Sequence, residues 1–504
     1  MMSLTSVEFF FFLMVTVFCY YLFKPVQKIV LLAASIFFYF SISSIDSVKL
    51  VIIMLFILLI AYFGAQFIEK AEGKVRSIIL FLCIFAIVSA LILLKYAYNL
   101  ANVFCGMFSV STDFSFLKFV SVAGISYYSL STIGYLIDVY WSNQKPETNI
   151  ADLALFIFYF PQLISGPITR YGDMRQQFGM KHNPDYSLFV TGLRRMAWGY
   201  FKKLVISERF GLVVSAVFGH YSDYGFFVIV SAVLCYAVQL YTDFSGCMDI
   251  VLGASNLFGI KLPENFCAPF YSETVQEFWR RWHITLGQWF KDYVMYPVQK
   301  SRFVINLGRS VKQKFGKKAG KKATLYVSMC ALWFLLGLWH GGTGYYFIAT
   351  GMIPFLILLV SDMCSEFFGK ITKVLRINTE CRSWHWFRRA RTLLLICCGW
   401  LFICCGSTFG TMKVVEQMCH GIVSYTSFNS LISSFGLSFL DILLMVLGLS
   451  VLHYSDQCEY DGTNIFAEND KNNFVFRVIV IYTELLILLF YGMVGTSSFI
   501  YFQF

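Results

Sequence analysis

Charge is what this sequence has least of. Only 14% of its 504 residues are Asp, Glu, Lys or Arg, whereas 58% are hydrophobic. That balance excludes a string of ordinary soluble domains, which carry nearer a quarter charged residues. There is no convincing internal repeat and no low-complexity block, so solenoids and disordered linkers are set aside. The 15 Cys are scattered through apolar runs, and the only close pairs are adjacent, Cys397–Cys398 and Cys404–Cys405. Neighbouring helical residues diverge, so neither pair has metal-ligand spacing, and no metal is expected. No Ser-centred elbow and no metal-spaced His cluster occurs either.

What is present is length of apolar run, for instance Leu50–Ile60 and Ile78–Leu94, with 55 Phe in all. Runs near twenty residues match the ~30 Å hydrocarbon core of a bilayer. The pattern predicts an all-α polytopic membrane protein forming one integral domain over 1–504. About twelve crossings are expected, near 8–23, 29–43, 49–68, 77–94, 116–140, 205–219, 225–242, 324–340, 344–361, 391–408, 439–454 and 475–495. Phe9 to Phe23 lacks a basic start and a small-residue cleavage site, so it reads as the first span rather than a signal peptide.

Lys and Arg orient the set. Lys24, Lys28, Lys70, Lys74, Arg76, Arg194, Arg195, Lys202, Lys203, Arg382, Arg388, Arg389 and Arg391 fall in segments assigned to the cytoplasm. So does a basic loop, Lys300 to Lys322, with nine Lys/Arg and no acid. Lys49, Lys95 and Lys118 sit at outer edges against the trend. Both termini then face outward. The +11 charge is accounted for by this bias and by anionic membrane lipids, without nucleic acid. Asp456 to Asp470 reads as a solvated loop.

Four stretches break the regular pattern. FIFYFPQLISGPITR (Phe156–Arg170) is an apolar run broken by Pro161, Gly166 and Pro167, and fits a re-entrant segment buried in protein. YTDFSGCMDI (Tyr241–Ile250) places Asp243 and Asp249 at the end of an apolar span. Such carboxylates are functional or paired, or else mark the boundary and cap the next helix; both readings stay open. EFWRRWHITLGQWFKDYVMY (Glu277–Tyr296) has Phe278, Trp282, Leu286, Trp289 and Tyr293 on one helical stripe, with Arg280, Arg281, His283, Lys291 and Asp292 among them. It predicts an amphipathic helix at the cytoplasmic face. GLWHGGTGY (Gly337–Tyr345) ends a span on His340, whose imidazole suits proton transfer, beside glycines that let backbone approach it.

Together, FPQLISGPITRY, DFSGCMDI, the stretch from Asn265 to Pro297 and GLWHG resemble the membrane-bound O-acyltransferases. The resemblance runs in order from Phe160 to about Gly344, within a core of 156–345. It is nearest the bacterial branch that serves alginate and peptidoglycan O-acetylation. It implies a helical ring around a thinned centre, with His340 as the catalytic base and His283 as the second characteristic histidine. It implies a thioester donor, acetyl-CoA first and a carrier protein's phosphopantetheine second, with its phosphates near 300–322. Arg280, Arg281, Lys291, Asp292 and Trp282 become candidate donor contacts. Trp339, Asp243 and Asp249 become candidate substrate-binding residues.

The chain closes on SSFIYFQF (497–504), which resembles the tyrosine-bearing tail of a small partner protein in teichoic-acid D-alanylation. Tyr501 is therefore a candidate acyl relay, with an aromatic belt at the outer interface as the alternative. The implied function is O-acetylation of a cell-envelope polysaccharide from the bacterial cytoplasmic membrane, together with an extracytoplasmic SGNH or esterase-like transferase. D-alanyl transfer and, more remotely, a transporter or channel are the alternatives.

Overall fold

A computed structural model describes residues 2–42, 47–108, 124–341, 344–420 and 428–494. Helices dominate them, and the β-pairing that occurs is an isolated bridge between Phe266 and Trp282. Among the described residues eight helices are long and apolar enough to cross a bilayer. A ninth span arises if Arg382–Cys405 and Thr408–Cys419, bent by 117°, are counted as one.

Nine of the twelve expected crossings thus have a counterpart among these spans, and the other three fall on shorter helices or partly outside the described residues. Val7–Leu22 has 16 residues, about 24 Å of helix, which is short of the hydrocarbon thickness. The region near 205–219 holds a 12-residue helix, Glu208–Gly219, preceded by a wide π-helical segment. The one near 116–140 begins outside the described residues and continues as Ile125–Tyr140.

The chain forms two compact units, with one boundary inside helix Phe226–Asn256 between Ser245 and Gly246. The first runs to Tyr200 and takes in Gly246–Pro263. Its centre is the broken segment foreseen at 156–170. Helix Ile150–Phe158 stops at Tyr159, and Phe160–Leu163 makes one further turn. The freed backbone is satisfied by buried side chains, as an apolar surround demands. Ser35 Oγ accepts from the Phe160 amide at 3.0 Å; Gln162 donates to the Phe156 carbonyl at 2.8 Å and accepts from Thr169 at 2.9 Å. Phe12, Phe38 and Phe160 pack around this break.

The same unit explains Asp249. Helix Tyr186–Tyr200 lies against the end of Phe226–Asn256 through glycines seven residues apart on each. A Cβ on Gly199 would stand 2.6 Å from the Gly246 carbonyl, and one on Gly192 2.7 Å from that of Gly253. Small residues bring backbones together in this way where no hydrophobic effect operates between helices. Between the two contacts Arg195 Nε meets Asp249 at 2.9 Å. Gly199→Val should therefore lower stability by at least about 1–3 kcal/mol through overpacking. Gly179→Ala, in open space, should be silent. Thermal unfolding in detergent compares them, and equal midpoints would contradict this packing.

The second unit comprises Phe201–Ser245 and Glu264–Met493. Here the predicted basic loop is instead helical. Residues 302–340 form two helices meeting at Gly316, whose φ of +86° only glycine adopts readily. The arms fold back on each other, since a Cβ on Gly320 would lie 2.7 Å from the Gly308 carbonyl. Lysine supports helix well, so the charge run sits on a hairpin. Asp456 is likewise no loop residue: it is buried inside helix Phe439–Tyr460, accepting from Tyr241 at 2.8 Å.

Among the described residues of this unit three segments are π-helical, Phe201–Ser207, Lys291–Met295 and Ile348–Met352. The last packs on the turn before His340, where Gly351 and Gly337 approach within a Cβ distance of 3.0 Å.

Candidate functional site

The predicted single helix over 277–296 breaks in the middle, and the break carries the site. Thr274 caps helix Val275–Arg281 by accepting from the Glu277 amide. The chain then extends through Trp282 and turns left-handed at His283, with φ +48° and ψ +53°, before Ile284–Phe290 resumes. Periodicity alone gave a continuous stripe. What overrides it is a second strand of chain: the Cys267 amide donates to the Arg281 carbonyl, and the Ile284 amide to that of Asn265, at 3.1 and 3.0 Å.

Asn265 is the pin of this turn, and the sequence reading missed it. Its Oδ1 accepts from the Thr285 amide at 3.1 Å and the Thr285 hydroxyl at 2.7 Å, and lies 3.4 Å from His283 Nδ1. An amide oxygen only accepts, so Nδ1 carries the proton and Nε2 is the lone-pair nitrogen of the neutral ring. Nothing local singles it out, since it follows Lys261, Pro263 and Glu264, and its partner Thr285 is twenty residues away.

His283 is buried at 3% exposure. Burial first, and the neighbouring His340 second, pull its imidazole well below the ordinary range. The Phe244 ring stands edge-on to it at 4.8 Å; Trp339 stands edge-on at 6.5 Å and at 4.9 Å to His340. His340 is the last residue of its helix, 9% exposed, with Gly341 as the cap. Two of the predicted residues, His283 and His340, are thus brought to one place with Trp339.

A depressed folded pKa means that the unfolded chain takes up the His283 proton more readily. Stability is then full above about pH 6.5 and falls as pH drops from there towards the folded pKa, by up to about 1.4 kcal/mol per unit. His283→Asn should flatten that slope. Unfolding midpoints between about pH 8 and 5 for both proteins test it, and parallel curves would refute it.

Asp243 is fully buried, and it does not cap a following helix, because Phe226–Asn256 continues past it. Its carboxylate meets Lys203 Nζ at 2.6 Å, and Lys203 also meets Glu208 at 2.7 Å. Lys202 donates to Ser245 at 2.9 Å. Both lysines, assigned to the cytoplasmic surface by charge bias, are in fact buried. These pairs hold the backbone on either side of Phe244, the ring against His283.

The remaining candidates are dispersed. Trp282 is buried among Phe278, Phe266 and Trp400. Arg281 is held by Glu277 at 3.0 Å and donates to the Cys267 carbonyl, while Arg280 is exposed. Lys291, exposed, lies over the Tyr296 ring, and Asp292 follows in the π-helical turn. Asp249 belongs to the first unit. Tyr501 and the rest of 497–504 lie outside the described residues.

The chain is similar in sequence to several known proteins. The chain is 34% identical over 279 residues to "Probable alginate O-acetylase AlgI" of Pseudomonas syringae pv. tomato, covering 55% of this chain and 48% of that one. It is 30% identical over 406 residues to "Peptidoglycan O-acetyltransferase" of Helicobacter pylori, covering 72% and 71%. It is 28% identical over 354 residues to "Teichoic acid D-alanyltransferase" of Bacillus subtilis, covering 64% and 83%. The match spans about half the length of the alginate relatives. Residues 147–408, just over half of the chain and including both histidines, match the family described as MBOAT, membrane-bound O-acyltransferase. The chain belongs to the membrane-bound O-acyltransferase family.

Proposed function

We propose that this protein is an O-acyltransferase of the bacterial cytoplasmic membrane, taking an acetyl group from a cytoplasmic thioester and delivering it outside for an envelope polysaccharide. The observation that carries the reading is His340, the terminal residue of its helix, with Trp339 edge-on to it and to the buried His283 turn. His340 acts as general base. It removes the proton of an acceptor hydroxyl as that oxygen attacks the thioester carbonyl, the C–S bond breaks, and the imidazolium returns the proton to the departing thiolate. His283, neutral and locked by Asn265, lines the path rather than exchanging protons.

Acetyl-CoA is the favoured donor. The acceptor class follows the names of the alginate and peptidoglycan relatives. Tyr501 is the first acceptor in this reading: its phenol takes the acetyl group as an aryl ester, and a second exchange passes it to a hydroxyl of an extracytoplasmic SGNH-type transferase. The Lys/Arg bias supports an orientation with Tyr501 on the delivery side.

Incubating purified protein with radiolabelled acetyl-CoA and mapping the label by peptide mass spectrometry tests the scheme. Acetyl on Tyr501, absent from Tyr501→Phe, is the expected result. Transfer that continues undiminished in Tyr501→Phe would return the tail to an interface role and make direct transfer to a diffusible acceptor the mechanism. The second reading, D-alanyl transfer, is favoured by the teichoic-acid relative; label from an aminoacyl carrier protein but not from acetyl-CoA would select it.

A further inference from the structure

Asp456 is 4% exposed, one turn from the end of Phe439–Tyr460, a helix long and apolar enough to span the bilayer. No step of the acyl transfer uses it. A carboxyl group at such a place is expensive to keep and persists where it has a task. Its hydrogen bond is to the Tyr241 hydroxyl, which donates to Oδ1 at 2.8 Å.

What Tyr241 touches gives that bond a consequence. Its ring stands 5.8 Å from Phe266, 4.9 Å from Phe270 and 6.0 Å from Trp282. Phe266 and Trp282 form the β-bridge, directly after Asn265 and directly before His283. Three residues further along the Tyr241 helix, Phe244 packs on Phe266 at 5.0 Å and on His283 at 4.8 Å. Two rings of one helix thus bear on the bridge and the turn, and both have polar anchors. Phe244 is held through its neighbours Asp243 and Ser245, and Tyr241 through Asp456.

The last turns of Phe439–Tyr460 hold the same stretch of chain at two further points. Glu459 accepts from the Ala268 amide at 3.0 Å, where the backbone is left-handed with φ +45° and ψ +58°. His453 stacks on Tyr271 with centroids 5.5 Å apart, and its Nδ1 lies 3.1 Å from the Tyr271 hydroxyl. Positions 453, 456 and 459 follow the spacing of neighbours on a helix surface. One side of this helix therefore braces residues 265–271.

We propose that Asp456 is a positioning residue: through Tyr241 it fixes the Phe266–Trp282 bridge, and with it the turn that sets His283 beside Trp339 and His340. A residue other than glycine keeps a left-handed backbone only where its surroundings over-determine it, and the Tyr241–Asp456 pair is one such surrounding. The inference rests on the transferase reading for its kinetic consequence, though not for its geometry.

The test uses the full chain purified in detergent, with its histidines selectively labelled with nitrogen-15. The chain has 7 His, and the signal of His283 is the one that His283→Asn removes. Asp456→Leu takes away the acceptor and Tyr241→Phe the donor, whereas Asp456→Asn keeps an oxygen that can accept from the phenol. Wild type and Asp456→Asn should show a neutral ring protonated on Nδ1, the tautomer set by Asn265. Asp456→Leu and Tyr241→Phe should show mixed tautomers, and kcat/KM for acetyl-CoA should fall about tenfold to a hundredfold in both. The double variant should be no slower than the slower single, because both changes remove one contact. Tyr241→Phe carries the test if Asp456→Leu does not fold.

An Asp456→Asn protein as impaired as Asp456→Leu would overturn the proposal. So would an unmoved His283 signal with full transfer in Tyr241→Phe, and in that case the transferase reading would stand. Mixed tautomers in the two variants of a protein that transfers no acetyl group would do the reverse.

Discussion

Replacing His340 with alanine should lower acyl transfer by about 10²- to 10⁴-fold, the usual worth of general-base assistance. The fold should survive, because His340, though buried, is the last residue of its helix and its loss breaks no turn that follows. KM for the donor should change little, since general-base assistance acts in the transition state rather than on donor binding. His283→Ala makes the informative comparison. That imidazole is pinned through Nδ1 to Asn265 and walled by Phe244, so its loss should disturb the path and reduce both donor affinity and rate. Steady-state kinetics with acetyl-CoA resolve the two patterns. Undiminished transfer by a folded His340→Ala protein would end the claim that this residue is the base.

The largest stability effect is expected at Lys203, away from the reacting atoms. Its ammonium group, 2% exposed, sits between Asp243 and Glu208. Lys203→Met would remove the cation that the buried Asp243 and Glu208 share. Breaking a buried pair from one side costs about 3–5 kcal/mol, much more than the pair contributes over an apolar replacement. The triple replacement Lys203→Met, Asp243→Leu, Glu208→Leu should therefore recover most of the loss. Denaturation of the three proteins in one detergent measures this. A Lys203→Met protein as stable as wild type would show that these charges are hydrated rather than buried.

What the sequence made legible was whatever is encoded by neighbours. Pro161 and Pro167 stop a helix wherever they occur, so the break after Phe158 could be read directly. His340 followed by Gly341 likewise announced the end of a helix. The misreadings have the opposite origin. The stripe Phe278, Trp282, Leu286 is helical by period, yet the turn at His283 is imposed by hydrogen bonds from 265–267, which no local pattern contains. Lys202 and Lys203 looked like surface cations because their partners Asp243 and Ser245 lie some forty residues on. The basic stretch at 300–322 looked like a loop because charge density was given more weight than the helix propensity of lysine. Asn265 escaped notice for the same reason as the turn it holds.

The three π-helical segments bear on how such a site tolerates change in chain length. A π-helical turn is an α-helix carrying one extra residue, and each residue of an α-helix advances the side chains by about 100°. Removing one residue from Lys291–Met295 should let that stretch close into an ordinary helix, while the same deletion within Ile284–Phe290 would rotate every later side chain out of phase with the His283 turn. Phe201–Ser207 and Ile348–Met352 stand in the same relation to Asp243 and to the turn before His340. These wide turns act as phase adjusters, setting which side chains face inward on either side of them. They are where single-residue insertions and deletions should be absorbed.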